Sequence, residues 1–228
     1  MAVLADFETK VGQSVQDTAG KVDAAATIAF IQQAVRQYSK DRPRIRDAEF
    51  TGDAILQEFP VPAGWIKGFS TMQTLEFPVD EVPIRRRDLQ DNLVIVQKGD
   101  VEKVQLIFTT LAVAEKARVT YTALHTVDAG TSTIQDTDFD AVSDLAAHYV
   151  CLALAGFYQE ETDSALAVDV VAGASRADGF RAQAASLMKT YIEHMTESEV
   201  ETGALFLHDQ DLRFVHGTEL LMHPERFR

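Results

Sequence analysis

The hydrophobic period of this chain changes twice, and this change constrains the fold more than any other feature. Across Ala24–Tyr38, apolar residues recur at three- and four-residue steps, which predicts a helix. From 44 to 125 the period falls to two, in short segments separated by turn residues. The helical period returns from 126 onward. The sequence therefore predicts an α+β fold, in which a helical core of three main helices carries an inserted antiparallel β lobe.

Six segments of the middle region have the composition of strands, because they are rich in Val, Ile, Thr and Phe. These segments are Arg46–Phe50, Ala54–Phe59, Ser70–Phe77, Asn92–Gln97, Val104–Phe108 and Arg118–Leu124. Five of the six prolines stand at the start or in the first half of this region, where they separate one segment from the next. We expect a lobe of roughly five or six strands.

Three helices are predicted outside the lobe, at Ala24–Tyr38, Asp138–Tyr158 and Arg176–Met195. Residues 1–23 have a loosely helical spacing that two glycines interrupt, so a peripheral helix or arm is expected there. The expected organisation is an N-terminal arm and first core helix at 1–43, the inserted β lobe at 44–125, the helical core at 126–196 and an extended C-terminal docking tail at 197–228.

The charge balance is strongly acidic. Lys and Arg number 21 against 35 Asp and Glu, which gives a formal net charge of −14. Such a surface repels phosphate and argues against a protein that grips duplex DNA. Cys151 is the single cysteine, so no intrachain disulfide is expected and assembly in the cytosol is natural. The first residues do not have a signal-peptide pattern, and the longest apolar stretch is shorter than the roughly 20 residues of a spanning helix, so no membrane association is expected.

The search for a catalytic centre gives little. The sequence contains no phosphate-binding glycine loop, no CxxC, no HExxH and no GxSxG pattern. His148 and Cys151 stand one helical turn apart, as a nucleophile pair or half a zinc site would, but their alanine-rich surroundings favour packing in a core. His208, His216 and His223 are too widely spaced for one helical face to chelate a metal. We therefore expect no catalytic residue, no cofactor and no metal.

Three aspartates, Asp136, Asp138 and Asp140, alternate like the opening of a calcium-binding loop. The pattern then fails, because Ala141 and Ala147 occupy the positions where such a loop needs glycine and glutamate. Carboxylates in the first turn of a helix interact favourably with its unpaired backbone N–H groups. We interpret the three aspartates as helix-capping residues.

Two arginine clusters contrast with the acidic background. They consist of Arg42, Arg44 and Arg46 before the first strand and of Arg85, Arg86 and Arg87 inside the lobe. Arginine binds carboxylates and phosphates through a planar fork. One interpretation is a pair of solvated loops that balance nearby acids. The other makes these arginines inter-subunit residues, because Thr126–Asp163 has eight acidic residues and no Lys or Arg, and opposite poles on one molecule favour association in a ring.

An ordered set of short motifs runs through the chain. The motifs are Phe59-Pro60-Val61-Pro62-Ala63-Gly64-Trp65, Leu75-Glu76-Phe77-Pro78, Val119-Thr120-Tyr121-Thr122-Ala123-Leu124-His125-Thr126, Ser132-Thr133-Ile134-Gln135, Asp140-Ala141-Val142-Ser143-Asp144-Leu145-Ala146-Ala147 and Asp163-Ser164. With the succession of helix, β lobe, two helices and tail, this set resembles the head-to-tail connector (adaptor, or head-completion) proteins of tailed bacteriophages over about residues 24–195.

The resemblance implies a structural protein of the virion neck that is assembled in the host cytoplasm and is not an enzyme. In such families the helical core docks on the portal ring, commonly as twelve copies, and a C-terminal extension reaches portal or tail components such as stopper or tail-terminator proteins. DNA would pass through the channel without specific binding. Partner-binding residues are then expected among the large hydrophobic side chains of the tail, namely Leu205, Phe206, Leu207, Phe214, Leu220, Leu221 and Phe227.

Two alternatives stay open. One is another neck or tail component, such as a tail-completion protein, which ring symmetry would distinguish. The other is a small ligand-binding module that uses the β lobe, with Trp65 as an aromatic platform beside Arg85–Arg87. A tryptophan that is folded onto the sheet is the more frequent outcome for such a proline-rich turn.

Overall fold

The computed structural model describes residues 2–15, 17, 20–53, 58–81, 86–87, 89–99, 101–107, 111–163, 176–196, 212–215 and 218–221, without the side chains of 90–91, 161–163 and the last two segments. The chain forms two compact units. Unit 1 comprises Met1–Ala5 and Gln32–Asp136, and unit 2 comprises Asp6–Ile31 and Thr137–Arg228.

Unit 1 contains the β lobe, in which seven strands fall within the described residues. They are β1 (Arg44–Thr51), β2 (Glu58–Pro60), β3 (Met72–Glu76), β4 (Arg86–Arg87), β5 (Leu93–Lys98), β6 (Val101–Leu106) and β7 (Lys116–Ala123), with a single-turn helix α3 (Leu89–Asn92) before β5. All pairings are antiparallel, as expected, but the strands form two sheets, in the orders β1-β7-β3-β4 and β2-β6-β5.

The two sheets share one apolar core. Its buried residues are Phe50, Phe59, Leu75, Phe77, Val104, Leu106, Leu111, Ala117 and Val119. Phe50 on the first sheet stacks on Phe59 of the second, with 5.1 Å between ring centroids. Alternation along β7 follows from the strand period of two, which turns Ala117, Val119 and Tyr121 inward.

The solvent-facing side of the first sheet carries an ion-pair network around Arg118 of β7. Its guanidinium binds Glu49, Glu76 and Asp80 at 2.7, 3.2 and 3.1 Å. These hydrogen bonds raise the pKa of Arg118, chiefly through Glu49, and the bonds from Lys116 and Arg118 lower the pKa of Glu49. The network joins β1, β7 and the end of β3 across the solvent-facing side of the sheet.

The helices of the chain are α1 (Leu4–Val15), α2 (Ala24–Asp41), α4 (Phe139–Asp163) and α5 (176–196). Asp23 caps α2 as a helix-start signal should, since its Oδ1 accepts a hydrogen bond from the N–H of Ala26 at 2.6 Å. Within unit 2, Tyr158 of α4 stacks on Phe180 of α5 at 5.6 Å. His148 Nδ1 of α4 donates to the carbonyl of Ala184 at 2.8 Å, which fixes the two helices side by side.

Residues 4–15 form a helix, as one form of the expected peripheral helix or arm, but this helix is more buried than expected. Phe7, Val11 and Val15 are 0%, 1% and 4% exposed, and Phe7 packs edge-on against Phe139 with 4.7 Å between centroids. A spacing of four residues puts these three side chains on one face of the helix. Helix α1 is therefore a fourth core helix, because Gly12 lies on its exposed face and leaves this apolar stripe intact.

Helix α4 is the central element of unit 2. Residues Asp136–Glu160 are long and apolar enough to cross a membrane by length and composition, but 61% of that window is buried inside the protein. This burial fits a core helix, with Val142, Leu145 and Leu154 fully buried.

The α+β class is confirmed. In the predicted tail, the described residues form an antiparallel hairpin of β8 (Leu212–Val215) and β9 (Thr218–Leu221). The proposed partner-binding residues Leu205, Phe206, Leu207 and Phe227 lie outside the described residues, and for Phe214, Leu220 and Leu221 only the strand backbone is described. The extended docking tail stays a prediction.

Candidate interaction site in the β lobe

The proline-rich turn 60–64 is bound to the first sheet at its tip. The Tyr121 hydroxyl donates to the carbonyl of Ala63 at 2.6 Å, and Arg46 Nη1 donates to the same oxygen at 3.2 Å. Gly64 follows with a φ of +87°, a conformation that side chains disfavour, and a Cβ there would lie 3.0 Å from Arg46 Nη1. The turn and β1 are thus held together by an arginine that the sequence assigned to an inter-subunit role.

Trp65 is committed to a contact within the lobe. Its Nε1 donates to Glu102 Oε2 of β6 at 2.7 Å, and its ring lies 6.3 Å from that of Tyr121. This arrangement favours the interpretation of a tryptophan folded onto the sheet. It links the second sheet to the first through a single side chain.

His125 ties three segments of unit 1 together, a role that sequence reasoning did not assign. Its Nδ1 lies 2.9 Å from the carbonyl of Thr133, its Nε2 lies 3.1 Å from the carbonyl of Arg42, and its backbone N–H donates to Ser39 Oγ at 2.9 Å. The end of α2, the end of β7 and the following loop are therefore fixed relative to one another. The only sequence signal was its place at the end of the Val119–Thr126 motif.

A cavity of about 480 Å³ opens beside this junction. Its wall is made by Gln32, Val35, Arg36, Arg44, Arg46, Gly64, Ile66, Ala123, Leu124, His125, Thr126, Val127 and Asp128. Arg44 and Arg46 project from the same side of β1, because a strand turns alternate residues to one face. Arg36 reaches the cavity from α2. The wall therefore combines three guanidinium groups with an apolar part.

The three cavity arginines lack carboxylate partners in the part of the chain that the structure describes. Arg46 bonds only a backbone carbonyl there, and Arg36 and Arg44 form no ion pair. Asp128 is the one acidic residue of the wall. In a chain with a formal charge of −14, this is a local concentration of positive charge that can bind carboxylate or phosphate oxygens.

The other predicted inter-subunit arginines lie elsewhere. Arg42 does not line the cavity, and its carbonyl accepts from His125. Arg86 and Arg87 form β4 and are exposed, with Arg87 Nε donating to the carbonyl of Phe77 at 3.3 Å. Arg85 lies outside the described residues. The structure thus brings Arg44 and Arg46 together and adds Arg36, which no sequence pattern indicated.

The aspartates at the start of α4 make contacts within unit 2. Asp138 is 1% exposed, and its Oδ1 lies 2.9 Å from His194 Nε2 of α5. Asp140 pairs with Lys10 of α1 at 2.9 Å, and this hydrogen bond raises the pKa of Lys10. Burial raises the pKa of Asp144. Asp138 and Asp140, which belong to the acidic set counted in Thr126–Asp163, therefore pair with residues of the same unit.

His148 and Cys151 have the geometry of packed residues. A carbonyl only accepts hydrogen bonds, so His148 Nδ1 carries the proton that it donates to Ala184. Cys151 is fully buried, and burial raises the pKa of its thiol to about 11, which suppresses the reactive thiolate.

Metal-binding geometry is not found in the described ranges, where no group of three or more His, Cys, Asp or Glu side chains could hold an ion. His208, His216 and His223 lie outside those ranges.

Comparisons with known proteins add little. No protein-family model and no curated protein sequence matches this chain. One solved structure, the neck of an empty GTA particle computed with C6 symmetry, aligns with 65% of this chain and 80% of its own, at 14% identity and a TM-score of 0.30. The neck of a native GTA particle computed with C12 symmetry aligns with 66% and 80%, at 14% identity and a TM-score of 0.28. A likeness at this TM-score is no basis for a conclusion about this chain.

Proposed function

We propose that this chain is a structural, non-enzymatic component of a phage-type particle neck, specifically a ring-forming head-to-tail adaptor. In this role it docks on a portal ring, extends the DNA channel and provides the attachment site for the tail. The helical segments form the wall of the ring, and residues 197–228 carry recognition of portal or tail components.

One observation carries the proposal: the motifs behind the resemblance bond to one another around β7. Tyr121 holds Ala63 of the first motif, Leu75 of the second pairs in register with Val119, and His125 lies against Thr133 of the fourth. Motifs that are separate in sequence therefore define one structural junction. Such mutual bonding is expected of residues that mark a common architecture rather than a reaction.

The charge supports the same role. A conduit through which DNA slides should not hold phosphate groups, and a net charge of −14 prevents phosphate contacts from accumulating affinity. The cavity arginines are confined to one place in unit 1. This distribution suits contact between protein subunits better than a continuous basic groove for a nucleic acid.

The deciding experiment is electron microscopy of particles that contain this chain. We expect a ring of density from this chain between the capsid vertex and the tail, with twelve copies for an adaptor and six for a tail component. Particles made without the chain serve as the control and should lack that ring and carry no tail. Density from the chain at any other place, or tailed particles in its absence, would rule out the adaptor role.

A further inference from the structure

The C-terminal half of α4 presents a second surface that nothing in the described structure covers. Leu152 and Phe157 are 45% and 46% exposed, and Gly156 and Glu160 are exposed as well. At 3.6 residues per turn these four residues fall on one side of the helix. We call them the α4 stripe. Gly156 lies in the middle of it with no atom within 4 Å of its missing Cβ, so another backbone can approach closely there.

Glu160 forms the acidic end of this stripe. Helix α4 has no basic residue in its last turn, where the helix dipole favours a cation and disfavours Glu160. Both arginines of α5 lie near this end of α4, where Arg176 covers the Tyr158 ring and Arg181 donates to Gln159 Oε1 as well as to Asp178. Across the described ranges Glu160 forms no ion pair. A cation from another molecule can therefore pair with the Glu160 carboxylate.

The arginine-lined cavity has the complementary character. Arg36, Arg44 and Arg46 supply positive charge without a carboxylate partner in the described residues, and Ile66, 38% exposed, belongs to its apolar wall. The stripe is apolar and acidic, and the cavity is apolar and basic. Burial of the hydrophobic side chains and pairing of the charges would therefore both favour contact between these two surfaces.

We propose that the α4 stripe of one copy of this chain seats in the arginine-lined cavity of the next copy, with Glu160 facing Arg36 and Arg44. The inference rests on the proposed ring and names the contact that builds it. Because the two surfaces differ, each copy offers one of each, and repetition of such a heterologous contact generates a ring when the rotation between copies closes.

Charge reversal tests this contact in the full chain. Arg36→Glu/Arg44→Glu gives the cavity a negative sign, and Glu160→Arg gives the stripe a positive one. Sedimentation velocity, at concentrations rising to about 1 mM, should show self-association of the wild type and at least a tenfold weaker association of each variant alone. Lys40→Glu/Lys189→Glu is the matched control for the double arginine variant, since it changes the net charge by the same amount outside both surfaces and should associate like the wild type.

A mixture of the two variants distinguishes loss of charge pairing from damage to the fold as the cause of weaker association. The Glu160→Arg chain retains a basic cavity and the double variant retains an acidic stripe, so an equimolar mixture should recover association that neither has alone. Unchanged association in either variant, no recovery on mixing, or a wild type that stays monomeric throughout would overturn the contact. None of these results decides the neck position, which microscopy of particles decides separately.

A disulfide gives the second measurement. Ile66→Cys in one chain and Phe157→Cys in another should form a linked heterodimer on mild oxidation, while Cys151 is buried and does not compete. Ile192→Cys, at an equally exposed position of α5, replaces Phe157→Cys as the control and should not link. Equal yields from both pairs would contradict the proposal.

Discussion

Asp144 is a partly buried carboxyl group near the start of α4 whose surroundings oppose its charge. Burial raises its pKa above the usual 3.8, the nearby charge of Asp140 acts in the same direction, and Lys10 opposes them. A raised pKa in the folded state means that the ionised side chain destabilises the fold. This penalty is absent below the unfolded pKa and grows as the pH rises through the folded one.

We therefore expect Asp144→Asn to raise the free energy of unfolding at pH 7, by less than about 1 kcal/mol because solvent screens a partly exposed group. The gain should disappear as the pH falls below 3.8, where the Asp144 carboxyl group is neutral in both the folded and the unfolded chain. Urea unfolding followed between pH 3.5 and 7 measures it. Asp140→Asn is the control, since it removes the partner of Lys10 and should not stabilise. An Asp144→Asn variant that is less stable at pH 7 would contradict the expectation.

Arg36 lines the cavity, and no pattern in the sequence predicted that position. The period of two along β1 would have placed Arg44 and Arg46 on one face, but the approach of α2 depends on long-range packing around His125. The proline-rich context of Trp65 predicted that its ring is folded onto the sheet. Its hydrogen bond to Glu102 joins residues 37 positions apart, and no local sequence pattern predicts that bond.

Gly52 is the position where the lobe tolerates no side chain. A Cβ there would lie 2.3 Å from Leu111 Cβ and 2.4 Å from the carbonyl oxygen of Ala112, so backbone would have to move. We expect Gly52→Ala to destabilise the protein by about 1–3 kcal/mol.

Gly12→Ala is the matched control for this substitution. Gly12 lies within α1 with no atom within 4 Å of the new Cβ, so the change should stabilise by up to about 1 kcal/mol through helix propensity. Thermal unfolding of both variants measures the two effects. Similar shifts for both would mean that the close approach at Gly52 is absent.

At the scale of an element, α1 is the main correction to the sequence-based organisation. We expect Phe7→Ala to lower the free energy of unfolding by about 3–5 kcal/mol, because it empties a fully buried site against Phe139. Gln13→Ala on the exposed face should change it by less than about 0.5 kcal/mol. Urea unfolding distinguishes the two. A small effect of Phe7→Ala would instead favour the peripheral position that the sequence predicts for this helix.

The positions of the other helices and strands along the chain were well predicted, but the pairing of the strands was not. The hydrophobic period located α2, α4 and α5 and most strands within a few residues. The division of the lobe into two sheets depends on which strands pair, and β1 pairs with β7 across Arg44↔Ala123. Pairing at such a separation is decided by packing of the whole lobe, which short segments do not encode individually. The cavity is a product of the same packing.

For the whole molecule, deletion of 197–228 tests the docking tail. If the tail serves partners, the shortened chain should keep its unfolding temperature within about 2 °C and lose attachment to portal or tail components in a pull-down. Phe206→Ala and Phe214→Ala in the full chain should weaken attachment in the same way without changing that temperature. A shortened chain that still attaches, or one that unfolds at a much lower temperature, would contradict a recognition role.

The eight-residue ladder between β1 and β7 brings the entry and the exit of the lobe side by side. Everything from 52 to 115 is thus a loop closed at a paired stem. Lengthening or exchanging the distal strands would leave the stem ends where they are. We therefore expect this chain to accept a foreign domain grafted at the far end of the lobe without displacement of the paired ends of β1 and β7.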